Sequence, residues 1–318
     1  MCGVVGALIC IYCRSGCSGS TVASALAFQP PEPFYELDYD ETTKKCDIRF
    51  TSELETLLTN VHMIDNISAT IVKANSSMIP ICCIRSPDAE FTIVYSHGNA
   101  TDIGAMIMVY AMMAKKLNVN IVAYDYTGYG PHWLRKRNGV RPTEKQTYKD
   151  IECVYKWCIE TKLVQDPTKE IILYGQSVGS GPSCYLASVS PVAGIVLHSP
   201  ILSGLRVLTN SRLLFTCDIF PNIDRIKKVC CPVFIIHGEE DAEVRLRHGM
   251  ELHGAVQEKY RYPEPWWVPD KGHNDVLAGN EKEFFIRMSQ FLEYAHDFSN
   301  KEVSGIINIR VENNSVQS

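Results

Sequence analysis

Positive charge is scarce for a chain of this size. Lys and Arg number 31 against 36 Asp and Glu, a net charge of −5, so general nucleic-acid binding is not implied. The 318 residues contain no internal repeat and no low-complexity tract, which sets repeat arrays aside. The apolar stretch 3–12 falls short of the ~20 residues a membrane-spanning helix needs. It also lacks the basic n-region and clear cleavage site of a secretory leader. The thirteen cysteines are odd in number, and pairs such as Cys82-Cys83 and Cys230-Cys231 sit in or beside strand-like runs. Free thiols in a reducing compartment are expected here rather than a disulfide framework. What the chain does have is core-forming material: 46% hydrophobic and 21% charged residues suit one soluble domain with a sizeable interior.

Apolar runs place strands near 67–73, 78–85, 91–96, 119–124, 170–174, 193–198, 232–237 and 265–268. Helical periodicity appears near 103–117, 144–163, 178–189, 245–256 and 280–296. The alternation predicts an α/β fold, a mostly parallel sheet with helices on both faces. The first two of these strands, joined by the turn Asn75-Ser-Ser77, read as an antiparallel hairpin at one edge. Residues 199–230 carry no strand pattern and stand where a cap over the site is expected. There Leu202, Leu205, Val207, Leu208, Leu213, Leu214 and Phe215 either line an acyl-accepting groove or pack into the core.

The run Ile171-Ile-Leu-Tyr-Gly175-Gln-Ser177-Val-Gly179-Ser-Gly enters a Gly-x-Ser-x-Gly pattern as a strand and leaves as a helix. Such a turn holds a serine in strained backbone geometry, with glycines two positions either side where a Cβ would clash. A serine hydroxyl is a poor nucleophile, so a neutral imidazole must take its proton, and an acid must orient that imidazole. Asp241 after the strand Pro232–His237, and His273 after Pro265–Val268, follow in the order Ser, Asp, His on loops at strand ends. Ser177, Asp241 and His273 are therefore the expected triad, with Asp270, Asp275 and Glu240 as reserve acids. The backbone amides of Val178 and of Asn99, in Tyr95-Ser-His97-Gly98-Asn99, are the expected oxyanion donors. His97, His198 and His237 read as structural, since one base suffices. No metal or cofactor is called for.

Four cysteines, Cys2, Cys10, Cys13 and Cys17, crowd the first seventeen residues beside the apolar stretch. With no histidine nearby, S-acylation of several of them explains the cluster better than zinc does. A sequon, Asn99-Ala-Thr101, lies in the expected oxyanion loop, where a glycan would obstruct the site. The domain is thus expected on the cytosolic side, with the sequons at Asn66, Asn75 and Asn313 also unused.

Taken together, the cysteine cluster, Leu26-Ala-Phe-Gln-Pro-Pro-Glu-Pro33, Tyr95-Ser-His-Gly-Asn-Ala100, Tyr124-Asp-Tyr-Thr-Gly-Tyr-Gly130, Ile172–Ser177, Val196–Pro200, Phe220–Ile223, Ile235–Gly238 and Gly272–Asp275 resemble the α/β-hydrolase domain-containing protein 17 family of membrane-associated palmitoyl-protein thioesterases. The resemblance implies an α/β-hydrolase fold, hydrolysis of palmitoyl thioesters on membrane-bound proteins by Ser177, Asp241 and His273, and palmitoylated N-terminal cysteines. The chain is also expected to be a monomer, held at the lipid surface on the cytosolic face of plasma membrane or endosomes. Expected boundaries are an anchoring segment 1–35, a linker 36–64, a catalytic domain 65–297 and a tail 298–318. The stretch 131–142 departs from the family pattern. Its basic residues read as a solvated loop, with contact to anionic headgroups as the alternative. The competing functions are a carboxylesterase or lipase on small or lipid esters, and a non-catalytic membrane-tethered interaction module.

Overall fold

The computed structural model describes residues 27–74, 76–208 and 218–315. Strands β1 (Glu36–Tyr39) and β2 (Cys46–Arg49) pair as a small antiparallel hairpin. Eight more strands form one sheet: β3 (Ile67–Ala74), β4 (Ser77–Ile84), β5 (Thr92–Ser96), β6 (Asn120–Tyr124), β7 (Ile171–Gln176), β8 (Gly194–His198), β9 (Val233–Gly238) and β10 (Trp266–Val268). Their order is β10-β9-β8-β7-β5-β6-β4-β3. All pairings among β5 to β10 are parallel, and β3 and β4 join antiparallel at one edge as the sequence predicts.

The six longer helices are α1 (Ser52–Asn60), α2 (Ile103–Leu117), α3 (Glu144–Glu160), α4 (Ser180–Val189), α5 (Arg247–Ala255) and α6 (Glu281–Ser315). Alternate residues of one strand serve opposite cores. Leu173 packs with Ile151 and Val154 of α3 and Leu186 of α4, while Ile172 and Tyr174 pack with Ile107 of α2 and Phe291 of α6. The sheet is therefore buried on both faces, which is why its strands read as unbroken apolar runs.

Several boundaries differ from expectation. Residues 36–64, expected as a linker, hold the hairpin and α1, whose Leu58 is fully buried. These elements escape notice because the strands have only four residues each. Residues 28–35 of the expected anchoring segment lie against the catalytic domain, with Phe28 and Tyr35 buried. The expected tail continues α6 as helix to Ser315, and Ser299 Oγ donates to the Thr168 carbonyl at 3.1 Å. The stretch 131–142 is not a solvated loop. His132–Asn138 forms a short helix ending at Gly139, with φ +62°. Its Leu134 is buried, Trp133 Nε1 donates to the Leu37 carbonyl at 3.1 Å, and Asn138 bonds both backbone groups of Met78. Of its charges, Arg135 donates to the Gly130 and Pro31 carbonyls and Arg137 pairs with Glu41, so both are committed to the protein. Leu202 is buried and Val207 packs against the core. Leu213, Leu214 and Phe215 lie outside the described residues, as do Cys2, Cys10, Cys13, Cys17 and Asn75.

Candidate active site

The chain runs from β5 through α2 to β6 on one side of β5, then crosses through α3 to β7 on the other. Loops leaving β5 and β7 thus diverge at their carboxyl ends. This is the switch point at which open parallel sheets form their ligand crevice. The loop 97–102 follows β5, and Ser177 follows β7.

Ser177 has φ +52°, a left-handed conformation that costs a non-glycine residue on the order of 1–2 kcal/mol. The neighbouring glycines explain how the turn closes. A Cβ on Gly179 would stand 2.1 Å from the Ser96 carbonyl oxygen, and one on Gly175 would stand 2.7 Å from the Gly179 carbonyl oxygen and from Ser183 Oγ. The elbow therefore fits only with bare backbone at both positions.

The structure brings the three expected side chains together in one chain of hydrogen bonds. Ser177 Oγ lies 2.8 Å from His273 Nε2, and His273 Nδ1 lies 2.7 Å from Asp241 Oδ2. Asp241 sits just past β9, in a buried turn where its Oδ1 accepts the amides of Glu243 at 2.9 Å and Val244 at 2.7 Å. Burial pushes its carboxyl upward, but hydrogen bonds from His237, His273 and the Val244 amide outweigh this and hold it below the usual carboxylate range. It is thus ionised beside His273. The loop bearing His273 docks closely on the end of β9: a Cβ on Gly238 would stand 2.3 Å from the Lys271 carbonyl oxygen. Of the reserve acids, Asp275 accepts the Gly272 amide at 2.7 Å and braces this loop, and Glu240 donates its amide to the Lys271 carbonyl. Asp241 alone of the four acids is hydrogen-bonded to His273 among the described residues.

The loop after β5 lies beside the serine. A Cβ built on Gly98 would stand 4.0 Å from Ser177 Cβ, so the residue before Asn99 lies against the nucleophile. His97 is buried, with Nδ1 2.6 Å from the Gly98 carbonyl oxygen, and Tyr126 OH donates to the His97 carbonyl at 2.6 Å. It braces the loop. His198 bonds Tyr174 OH through Nδ1 at 2.9 Å. Burial, with His273 and His237 nearby, pushes it down to about 3, so it stays neutral.

Two contacts escape sequence reasoning. His237 Nε2 lies 2.7 Å from the Val244 carbonyl oxygen and 3.3 Å from Asp241 Oδ2, making it a second histidine on the acid. Its place four residues before Asp241, at the end of β9, is the available signal. The Asn99 side chain is held from two sides: Oδ1 accepts from Tyr129 OH at 2.9 Å and from the Gln29 amide at 2.6 Å. Nothing in the local pattern announces a partner seventy residues away.

Such a constellation can attack an acyl carbon, store the acyl group on Ser177 and release it to water. No protein-family model matches the chain. Among solved structures, a Pyrococcus furiosus esterase superposes with a TM-score of 0.57 at 17% identity, over 75% of this chain and 94% of its own. A Pyrobaculum calidifontis esterase gives 0.55 at 16%, over 78% and 91%. Both share the α/β-hydrolase fold. Among curated proteins, human alpha/beta hydrolase domain-containing protein 17B is 36% identical over 299 residues, spanning 90% of this chain and 95% of its own length. Protein 17C of Xenopus laevis is 34% identical over 308 residues, spanning 91% and 94%. The Caenorhabditis elegans alpha/beta hydrolase domain-containing protein aho-3 is 34% identical over 302 residues, spanning 94% and 83%. This chain is an α/β hydrolase and belongs to the alpha/beta hydrolase domain-containing protein 17 family.

Proposed function

We propose that the protein is a serine hydrolase that removes palmitate from S-acylated cysteines of membrane-associated proteins. The observation that carries this reading is the unbroken hydrogen-bond chain Ser177–His273–Asp241 at a strained elbow. Ser177 Oγ attacks the thioester carbonyl as His273 Nε2 takes its proton, and the amides of Asn99 and Val178 receive the oxyanion. Asp241 stays ionised, holds His273 in the tautomer that leaves Nε2 bare, and stabilises the imidazolium. Collapse breaks the carbon–sulfur bond. The cysteine sulfur leaves with the proton from His273, and the acyl group remains on Ser177. Water, deprotonated by His273, then attacks the ester, and Ser177 recovers its proton as palmitate departs.

Two sequence features support a membrane-bound thioester as substrate: the four N-terminal cysteines beside the apolar stretch 3–12, and the family resemblance. An enzyme held by several acyl chains shares a surface with other acylated proteins, on the cytosolic face of the membrane. The same triad hydrolyses oxygen esters, so a carboxylesterase or lipase is the second reading, and a non-catalytic module the third.

Ser177→Ala, Asp241→Asn and His273→Ala are each expected to lower hydrolysis of an acyl thioester about 10³-fold or more without loss of fold. Fluorophosphonate should label the unaltered chain at Ser177. Near-normal turnover by Asp241→Asn would transfer the acid's role to Asp270, Asp275 or Glu240, and a Ser177 that resists labelling would leave only the non-catalytic module.

A further inference from the structure

Residues 28–35 meet the loop that follows β5 at both Asn99 and Asp102. Phe28 is buried edge-on to Tyr126, Tyr129 and Phe220, with ring centroids 6.4, 6.5 and 5.9 Å away. The next residue, Gln29, donates its amide to Asn99 Oδ1 at 2.6 Å, and Tyr129 OH donates to the same oxygen at 2.9 Å. Further on, the Phe34 amide donates to Asp102 Oδ2 and Tyr35 OH to Asp125 Oδ2, both at 2.8 Å. A Cβ on Gly104 would stand 2.6 Å from the Phe34 carbonyl oxygen, so the segment lies directly on the start of α2. Arg135 closes the other side by donating to the Pro31 carbonyl.

An amide stabilises a developing oxyanion only if its direction is set beforehand. Asn99 has two bonds of freedom between its backbone and its carboxamide, and two donors from separate segments hold that carboxamide. Holding Oδ1 therefore restrains the backbone at Asn99, and with it the peptide that carries the Asn99 N–H. Exposure makes the Gln29 bond weak as a contribution to stability. Its geometric consequence is larger, because a displacement near 1 Å at a reacting group can cost roughly 10²-fold in rate.

We propose that residues 28–35 act as a strap that positions the oxyanion loop, with Asn99 Oδ1 as the positioning group it grips. This inference rests on the serine-hydrolase reading of Ser177. It assigns the Asn99 side chain a role in rate rather than in substrate affinity. It also means that the chain leading to the N-terminal cysteines joins the fold at a catalytic element.

The test uses the full chain, a soluble short-chain acyl thioester and three variants: Asn99→Ala, Gln29→Pro and the two combined. Proline at 29 deletes the donor N–H, at a position that Pro30 already biases toward extended backbone. Asn99→Ala should lower kcat about tenfold or more with KM within about twofold and an unchanged melting temperature. Gln29→Pro should lower kcat in the same way, and the double variant should be no slower than Asn99→Ala, because both changes break one contact. Wild-type kcat in Asn99→Ala would overturn the inference, as would independent, multiplying losses in the double variant. If the unaltered chain neither hydrolyses the thioester nor takes up fluorophosphonate, it is the serine-hydrolase reading that fails.

Discussion

Burial keeps His198 neutral next to two other histidines, and this has a measurable cost in acid. Its folded pKa is pushed down to about 3 from 6.5 by desolvation first, then by His273 and His237. Between these values the folded chain binds fewer protons at this site than the unfolded chain. Stability is therefore intact above about pH 6.5 and is lost as pH falls toward 3, by up to about 1.4 kcal/mol per pH unit for one proton. His198→Gln, which can still bond Tyr174, should show a shallower decline in urea-unfolding free energy from pH 6.5 to 4.5 than the unaltered chain. Parallel curves would mean that His198 does not titrate in this way. His248, held down to about 4 mainly by burial, remains in the variant and keeps a residual slope. At this scale the sequence is most legible where chemistry and backbone coincide. Ser177 stands out because its two glycines must be bare, and Asp241 and His273 because each follows a strand. The second partner of Asp241, His237, and the two donors on Asn99 depend on how side chains meet across the fold, which spacing does not encode.

Elements buried on both faces announce themselves, since an eight-stranded sheet between two helical layers needs continuous apolar strands. All eight strands of that sheet fall within a residue or two of the positions read from the sequence. Elements that lie on the periphery do not. The β1–β2 hairpin alternates Leu37 and Ile48 with charged neighbours over four residues per strand, and the helix His132–Asn138 carries only Leu134 as a buried residue. Its run of basic residues looks solvated until Pro31, Gly130 and Glu41 are seen to receive two of them. The proposed S-acylation of the four N-terminal cysteines carries a prediction of its own. Each palmitoyl chain contributes ~0.8 kcal/mol per buried methylene, so two or more should hold the protein stably at a bilayer. Changing Cys2, Cys10, Cys13 and Cys17 together to serine should release it to the soluble fraction. The variant should keep its rate on a soluble thioester and lose most of its rate on membrane-bound acylated proteins through lost co-localisation. A four-serine variant that stays on membranes would assign the anchoring to another part of the chain.

At the scale of the whole molecule, the sheet order places the two loops that matter at its switch point, one bearing Ser177 and the other the Asn99 amide, while β9 and β10 deliver Asp241 and His273 from the same edge of the strands. The architecture admits many reactions, and what selects among them is whether an acyl group passes through Ser177. This can be seen directly. The protein, mixed with an S-palmitoylated peptide and quenched within the first turnover, should carry one palmitoyl group, mapped by peptide mass spectrometry to Ser177. His273→Ala should show none, and the group should disappear from the unaltered chain as free palmitate and peptide thiol accumulate. Palmitate released with no acylated Ser177 at any quench time, or an equal rate of release by Ser177→Ala, would contradict the account.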